Sequence, residues 1–478
     1  VPDRSLMWGL LWACTAEVPE KESPPSKPAP VDTVYWATIS GSPADSLGNA
    51  VERGGDLSGD GQDDLVAAAY LGNRVCTLFG PLEPGEHLLD QLPTSCLAGE
   101  ADLDYAGYGM SAAGDLTGDG AGDLVVSSIG NAEAGANAGK VYLIPGPLPP
   151  GSHSLAGVFT TAWRGENASD YAGINVGPAG DLTGDGQSDL LIGASGFDGA
   201  DGGGGRLYVV AGPFTEGTFS LANAYASVTG LGLPPAGPPP PHGSYGVGDF
   251  VGDAQAGAVD LDGDGVQDLA LGGHGDRTVG LNAGKVAIFF GPLPGGAVSI
   301  TDADITLFGE AEESYTGSPL RGSADLTGDG LDDIIASADT LGAGVVYILS
   351  PRMGQTSVSE AYGRLEGEEA GDLFGYALSS TVDLDGDGSL DLGISAPASA
   401  RKDGVSGAFW WFSGPFSPGV TSSATGHLFE STAISESFGS ALDVAGDLDG
   451  DGLLDLALGA RNSDTNGGYS GSVYLFSL

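Results

Sequence analysis

The chain has 478 residues, with 64 acidic against 16 basic side chains and a formal net charge of −48. That balance repels phosphate and argues against a nucleic-acid partner. The 84 glycines point to many tight turns, and no apolar run is long enough to cross a bilayer as a helix. A chain of this length holds either several ordinary domains or one array of repeats, so internal repeats decide between them.

The first stretch reads as an export signal. After Arg4, the run Ser5-Leu6-Met7-Trp8-Gly9-Leu10-Leu11-Trp12-Ala13 is apolar and short, and it ends in a small residue before Cys14. Leu11-Trp12-Ala13-Cys14 resembles a bacterial lipobox, which would make Cys14 the lipidation site and the membrane link. An ordinary cleaved signal, and a misassigned start or buried strand, are the other readings. Residues 15–32 are rich in Pro, Glu, Lys and Ser and read as a tether. The chain thus divides into residues 1–32 and residues 33–478.

From there one nine-residue pattern, D-x-[D/T/S]-G-D-G-x-x-D, occurs seven times, starting at Asp56, Asp115, Asp181, Asp260, Asp325, Asp383 and Asp447. The starts lie 59, 66, 79, 65, 58 and 64 residues apart. That period exceeds one hairpin and suits a four-stranded antiparallel sheet with its turns. A glycine stands eight residues before every loop, from Gly48 to Gly439, usually beside an aromatic residue such as Tyr105, Tyr171 or Phe438. After each loop comes a short apolar run such as Leu190-Leu191-Ile192, the length of a buried strand. A third strand comes next, for example Lys140-Val141-Tyr142-Leu143-Ile144, and Gly-Pro often closes it. A fourth, more polar strand completes the unit, such as Ile305-Thr306-Leu307-Phe308.

Calling the strands A to D, the nine-residue loop is the A–B turn, A lies innermost and D outermost. Seven such units form an all-β, seven-bladed β-propeller. The last unit stops after strand C, at Val473-Tyr474-Leu475-Phe476, while residues 34–39 look like a D strand with nothing before it. The N-terminal strand 34–39 is therefore expected to complete the last blade and close the ring. Cys76 falls in strand C and Cys96 in strand D of the first unit, so a disulfide between them is expected in an exported protein. Two buried free thiols are the alternative.

These units resemble FG-GAP repeats, the building block of the integrin α-subunit propeller. The resemblance rests on Phe374-Gly375, Phe438-Gly439, the seven acidic loops, and Ser395-Ala396-Pro397 in the place of Gly-Ala-Pro. It covers roughly residues 33–478. It implies a calcium-stabilised extracellular or cell-surface binding or adhesion module, secreted or held as a lipoprotein. In integrins the ligand face lies opposite the calcium face, which implies a protein or glycan partner on that side. The chain itself is expected to be a monomer.

The loops carry the metal expectation on their own chemistry. Oxygens at positions 1, 3, 5 and 9, with the carbonyl at 7, are what a hard cation takes, and calcium (Ca2+) fits better than magnesium. The first loop offers Asp56, Ser58, Asp60, Asp64 and the carbonyl of Gln62. The second offers Asp115, Thr117, Asp119, Asp123 and Ala121; the third Asp181, Thr183, Asp185, Asp189 and Gln187. The fourth offers Asp260, Asp262, Asp264, Asp268 and Val266; the fifth Asp325, Thr327, Asp329, Asp333 and Leu331. The sixth offers Asp383, Asp385, Asp387, Asp391 and Ser389; the seventh Asp447, Asp449, Asp451, Asp455 and Leu453. Up to seven ions are expected, one per blade. Two carboxylates about 5 Å apart repel by ~3 kcal/mol at an effective dielectric of about 20. The fourth, sixth and seventh loops, with a fourth carboxylate, should therefore hold the cation most tightly.

Partner and enzyme signals are weaker. The longest irregular stretch, Leu231 to Gly248 with Pro238-Pro239-Pro240-Pro241-His242, is a D–A connection on the face opposite the loops. It reads as a binding loop or a tolerated insertion. Five scattered histidines form no metalloprotease or hydrolase motif, so the chain is read as no enzyme. A propeller-scaffolded hydrolase or lyase, and a purely structural envelope protein, are the alternatives. Trp163, Trp410 and Trp411 sit at strand positions and are expected in the core rather than on a sugar platform.

Overall fold

The computed structural model describes residues 35–198, 203–232, 248–352, 354–400, 407–431 and 436–477. The export stretch, Cys14, the tether and Pro238 to His242 lie outside them.

The structure is a seven-bladed β-propeller. Each acidic loop joins strand A to strand B, as Leu47–Gly55 to Asp64–Ala69 in blade 1 and Phe438–Gly446 to Asp455–Ala460 in blade 7. Strands B and C are apolar on both faces because neighbouring sheets stack on both sides. Every residue of Asp189–Ala194 and of Lys140–Ile144 is buried. The joint between blades 2 and 3, for instance, is filled by Val125 and Leu143 against Leu190, Ile192 and Tyr208. Trp163, Trp410 and Trp411 belong to such joints and are buried, as their strand positions predicted. The glycine before each loop is where blades approach closest. A Cβ on Gly173, which has φ of +93°, would lie 2.5 Å from the Ser127 Cβ. In blade 6 the A segment makes only isolated bridges, Leu378 to Ile394 and Val382 to Asp391.

The ring closes as expected, with a shifted boundary. The closing strand is Ala37–Ser40 rather than 34–39, and it runs antiparallel to Ser472–Ser477 with Ala37 opposite Leu475. Tyr35 does not extend the ladder; it leans edge-on against Tyr474, 5.0 Å between ring centres. Ser40 stays in because its hydroxyl meets that of Ser472. Residue 34 is outside the described residues.

The four-stranded antiparallel blade stands, with one addition. Most sheets carry a fifth strand, donated by the C–D connection of the next blade and parallel to strand D. Gly85–Leu88 lies on Ala37–Ser40, Gly151–Ser154 on the strand holding Cys96, and Gly217–Ser220 on Thr161–Arg164. Gly296–Ser299 lies on Ala226–Thr229 and Gly419–Ser422 on Gly363–Glu366. In blade 4 the contact shrinks to one bridge, Phe308 to Ser357. The residue after each of these strands turns inward between the blades: Leu89, Leu155, Leu221, Ile300, Val358 and Ser423 are at most 1% exposed. Each blade thus reaches over its predecessor and plugs the joint. The turn recurs as Gly-x-x-Ser followed by Leu or Ile (Gly151 to Leu155, Gly217 to Leu221, Gly296 to Ile300). Four residues are too short for a periodicity to register.

Cys76 and Cys96 face one another across strands C and D of blade 1 and are joined as a disulfide. Replacing both by serine is expected to lower stability by about 3 kcal/mol, from the loop closed over a sequence separation of 20. A shift of the denaturant midpoint measures it; an unmoved midpoint would mean that the thiols are free in solution.

Candidate metal centres

All seven acidic loops share one internal wiring. The position 1 carboxylate gathers backbone N–H groups: Gly118 and Asp119 donate to Asp115 Oδ1 at 2.6 and 3.0 Å, and Gly120 to Oδ2 at 2.9 Å. The position 5 carboxylate receives the N–H of position 7, as Gln62 to Asp60 (2.9 Å), Val266 to Asp264 (2.8 Å) and Leu453 to Asp451 (2.8 Å). The glycines at 4 and 6 have positive φ in every copy, 78° and 91° at Gly118 and Gly120, so the backbone curls around these oxygens.

Position 9 is different. Asp64, Asp123, Asp189, Asp268, Asp333, Asp391 and Asp455 are at most 1% exposed. Each is the first residue of strand B or stands just before it. Asp123 Oδ2 accepts from the N–H of Leu116 and Thr117 at 2.8 and 2.7 Å, inside its own loop. Asp391 Oδ1 accepts from Gly414 at 3.0 Å and Asp268 Oδ1 from Gly291 at 2.8 Å, the glycines of the Gly-Pro turns. Burial raises the pKa of all seven carboxyls, to about 6 for Asp64, Asp268, Asp333 and Asp455.

The convergence of carboxylates follows the residue at position 3. Among the described residues, three carboxylate oxygens lie within 4.8 Å of one another in the sets Asp260, Asp262, Asp268; Asp383, Asp385, Asp391; and Asp447, Asp449, Asp451. These are the three loops with aspartate at position 3. In the others Ser58, Thr117, Thr183 or Thr327 stands there, and the backbone N–H of each donates to the position 9 carboxylate. The fifth loop carries a feature that its own pattern could not reveal. Arg352, from the C–D connection of the same blade, pairs with Asp329 at position 5. A guanidinium there supplies part of the positive charge that a cation would bring.

The loops also join blades. Leu82 and Leu148, after the Gly-Pro turns of blades 1 and 2, donate N–H to the carbonyls of Leu448 and Leu57 in the preceding blade's loop, each at 2.7 Å. Asp63 receives the N–H of Asp447 at 3.1 Å, and Asp332 that of Asp260 at 2.9 Å.

The opposite face is built otherwise. The acidic residue that stands three before the recurring glycine proves to be a turn cap: Asn167 N–H donates to Asp170 at 2.7 Å and Leu231 N–H to Asp249 at 2.8 Å. Basic residues at the start of strand C neutralise these connections. Lys285 Nζ lies 3.0 Å from both Asp249 and Asp276, and Lys140 Nζ 2.9 Å from Glu100 and 2.8 Å from Glu133. In blade 4 five buried polar atoms lack a partner: Asp249 Oδ1, Asp253 Oδ1, Gln255 Oε1, His274 Nδ1 and Arg277 Nε. His274 stacks on Phe250 and stays below the ordinary imidazole range because it is buried. Among the described residues, six of the eleven exposed large apolar side chains, Leu71, Leu103, Leu231, Val279, Leu281 and Tyr469, stand on B–C and D–A connections, against Leu453 alone on the acidic loops.

A cavity of about 870 Å³ runs along the axis between the A strands. Its wall carries Glu52, Asp253, Asp332, Asp339 and Asp443 against one basic residue, Arg321. Glu52 accepts from Ser111 Oγ and Ala112 N–H, both at 3.2 Å. Nothing in the sequence marked it, because it belongs to no repeated pattern.

An all-β ring of seven blades, each with an acidic nine-residue loop as its A–B turn, is an FG-GAP-type propeller. The FG-GAP repeat profile matches residues 172–210 and 438–476, blades 3 and 7. Human integrin alpha-10 is 35% identical over 38% of this chain, and integrin alpha-PS2 of Drosophila melanogaster 31% identical over 34%. The phosphatidylinositol-glycan-specific phospholipase D of Dictyostelium discoideum is 29% identical over 36%. The chain spans 15, 12 and 20% of the length of these three relatives. Among solved structures, BBS1N in complex with ARL6DN, soaked with mercury, superposes with a TM-score of 0.45 at 13% identity, over 94% of this chain and 98% of that one. The chain thus carries FG-GAP repeats in a propeller similar to that of the integrin α subunits.

Glu52 tests the axial wall. Burial first, and the neighbouring Asp443 second, raise its carboxyl to about 7. The folded state therefore holds a proton that the unfolded chain releases near pH 4.5, and stability falls as pH rises between these values. Glu52→Gln should flatten that slope, matching the parent at about pH 4.5 and exceeding it at about pH 8 by about 3 kcal/mol. Thermal melts across that range measure it; parallel curves for both proteins would refute it.

Proposed function

We propose that this chain is an extracellular or cell-surface binding module. Its propeller is stiffened by calcium in the acidic loops and presents the opposite face to a protein or glycan. The observation that carries the metal half is the convergence of three carboxylate oxygens within 4.8 Å in the fourth, sixth and seventh loops. An all-oxygen set of this kind suits a hard cation. Side chains at positions 1, 3, 5 and 9 would hold the ion, with the carbonyl at position 7. Bound there, calcium offsets the carboxylate repulsion in the turn that joins each blade to the next.

The fifth loop is the weakest of the seven on this reading, because Arg352 already occupies Asp329. Titrating calcium into chelator-treated protein should fill the three four-carboxylate loops first and the fifth last. Saturation at about 100 times the dissociation constant adds ~2.7 kcal/mol per site, so chelation should lower the melting temperature by many degrees. Equal affinities across the loops would reject the ranking, and a melt indifferent to chelation would reject the structural role.

The partner half rests on the apolar side chains gathered on the B–C and D–A connections. A pull-down against extracellular proteins and an arrayed set of glycans, with and without calcium, tests it. Capture should be lost when Val279 and Leu281 are changed to serine while the calcium titration stays as before. Capture unaffected by those changes would place the contact elsewhere. We assign the chain no catalytic step.

A further inference from the structure

The buried ion cluster of blade 4 is built unlike the others on its face. Lys285 opens strand C, Lys285–Phe289, and its Nζ lies 3.0 Å from Asp249 Oδ2 and 3.0 Å from Asp276 Oδ2. The side chains of Lys285, Asp249 and Asp276 are 5, 1 and 5% exposed. Lys140 holds the same place in blade 2, but its partners Glu100 and Glu133 are 24 and 38% exposed. In blade 3 Arg206 and Glu166 are 20 and 21% exposed. Water therefore reaches the pairs of blades 2 and 3 and is shut out of the cluster in blade 4.

Two carboxylates on one ammonium would leave that cluster one negative charge in excess, away from the solvent that could carry it. Asp249 is the member that is not fully paired. Its Oδ2 accepts the N–H of Leu231 at 2.8 Å as well as Lys285, whereas its Oδ1 is buried with no partner among the described residues. Burial accordingly raises its carboxyl above the ordinary range. Asp276 has donors on both oxygens: the Thr278 N–H reaches Oδ1 at 2.8 Å and the Thr278 hydroxyl reaches Oδ2 at 3.2 Å. The cluster thus holds an ammonium, a carboxylate and a carboxylic acid in contact.

We infer that Lys285 and Asp249 condense to an isopeptide bond, an internal cross-link between strand C and the connection that enters strand A of blade 4. Asp276 takes a proton from the Lys285 ammonium. The freed amine adds to Cγ of the Asp249 carboxylic acid, and the charge that develops on Oδ2 falls where the Leu231 N–H already points. Asp276 passes its proton to the Oδ1 hydroxyl, which leaves as water, and then takes the remaining extra proton from nitrogen. One N–C bond forms and one C–O bond breaks. The products are a neutral amide, a neutral Asp276 and one water, and nothing is oxidised or reduced.

Two physical conditions favour the step here. The fold keeps the reacting groups in contact for the life of the protein, so a condensation that is slow between free molecules gains a high effective concentration. The amide also removes an ammonium and a carboxyl group from the interior, where charge is costly to hold. Lys140 has the contact but not the dry surroundings, since its carboxylates face water.

Mass spectrometry of the full chain, denatured, reduced and digested with trypsin, tests the inference. Cuts after Arg206, Arg277, Lys285 and Arg321 would release peptides 207–277, 278–285 and 286–321. The cross-linked chain should instead give one branched species, 207–277 joined to 278–321 and lighter than the two by one water, because trypsin does not cut at an acylated lysine. Fragmentation should place the branch at Asp249. Asp276→Asn keeps both reacting groups and should lower the yield of the branched species by about tenfold or more, since it removes the proton carrier. Lys140→Arg should leave the yield unchanged. The parent chain alone decides the matter if a variant folds poorly. Release of unmodified 278–285 from the parent would overturn the inference. So would a branch at Asp276, or a water lost within 207–277 while 278–285 is still released, which is the mark of an aspartyl imide.

Discussion

A buried carboxylate at the ninth loop position is the constraint on which the propeller depends. Asp123 has no solvent contact, yet it ties three chain segments together: its own loop through Leu116 and Thr117, the start of strand B, and the Gly-Pro turn through Gly146 at 3.3 Å. The turn so fixed then meets the preceding blade, as the Leu148 N–H reaches the Leu57 carbonyl. A buried charge without such donors would cost several kcal/mol. Here the donors are main-chain groups that need acceptors themselves, so one side chain satisfies both demands. Repeated seven times, it sets the spacing of the blades, and the remaining loop oxygens project outward from a turn that is already shaped.

The interlocking fifth strand gives the ring its direction. Every blade lays a strand on the blade before it and fills the joint with one apolar residue, so no D strand in six of the joints ends as a bare edge. The disulfide fits this plan. It clamps strands C and D of blade 1, beside the closing strand that Gly85–Leu88 covers. The place where the chain enters the ring is also where the fold carries its one disulfide among the described residues.

Much of this was legible in the residues. The nine-residue loops gave the blade count because their glycines and aspartates are each demanded by backbone geometry, and strands B and C announced themselves as runs buried on both faces. The closing strand was read as starting before Ala37 because Tyr35 and Trp36 are as β-prone as the strand residues beyond them; Tyr35 packs on Tyr474 instead. The fifth strands escaped because Gly-Thr-Phe-Ser, residues 217–220, has no alternation to read and owes its conformation to a partner in another blade. Within the site, the division of loops by position 3 was visible, but Arg352 on Asp329 was not: the two residues are 23 apart and meet only once strands B and C are paired. Glu52 and Arg321 on the axis come from different blades and share no pattern at all.

Charge follows the same division between the faces. Nine of the eleven described basic residues are ion-paired, among them Arg74, Lys140, Arg206, Lys285 and Arg364 beside the B–C and D–A connections. Those pairs offset part of the acid on that face, and Leu103, at 69% exposed, and Tyr469, at 61%, stand on it. Among the described residues, only Arg53 with Asp63 and Arg352 with Asp329 offset the aspartates on the loop face. The seven loops, counted from position 1 to position 9, hold 26 of the chain's 64 acidic residues. There the acid is met by main-chain N–H groups, while at the other end of the ring Lys140 and Lys285 each hold two carboxylates beside the exposed apolar side chains.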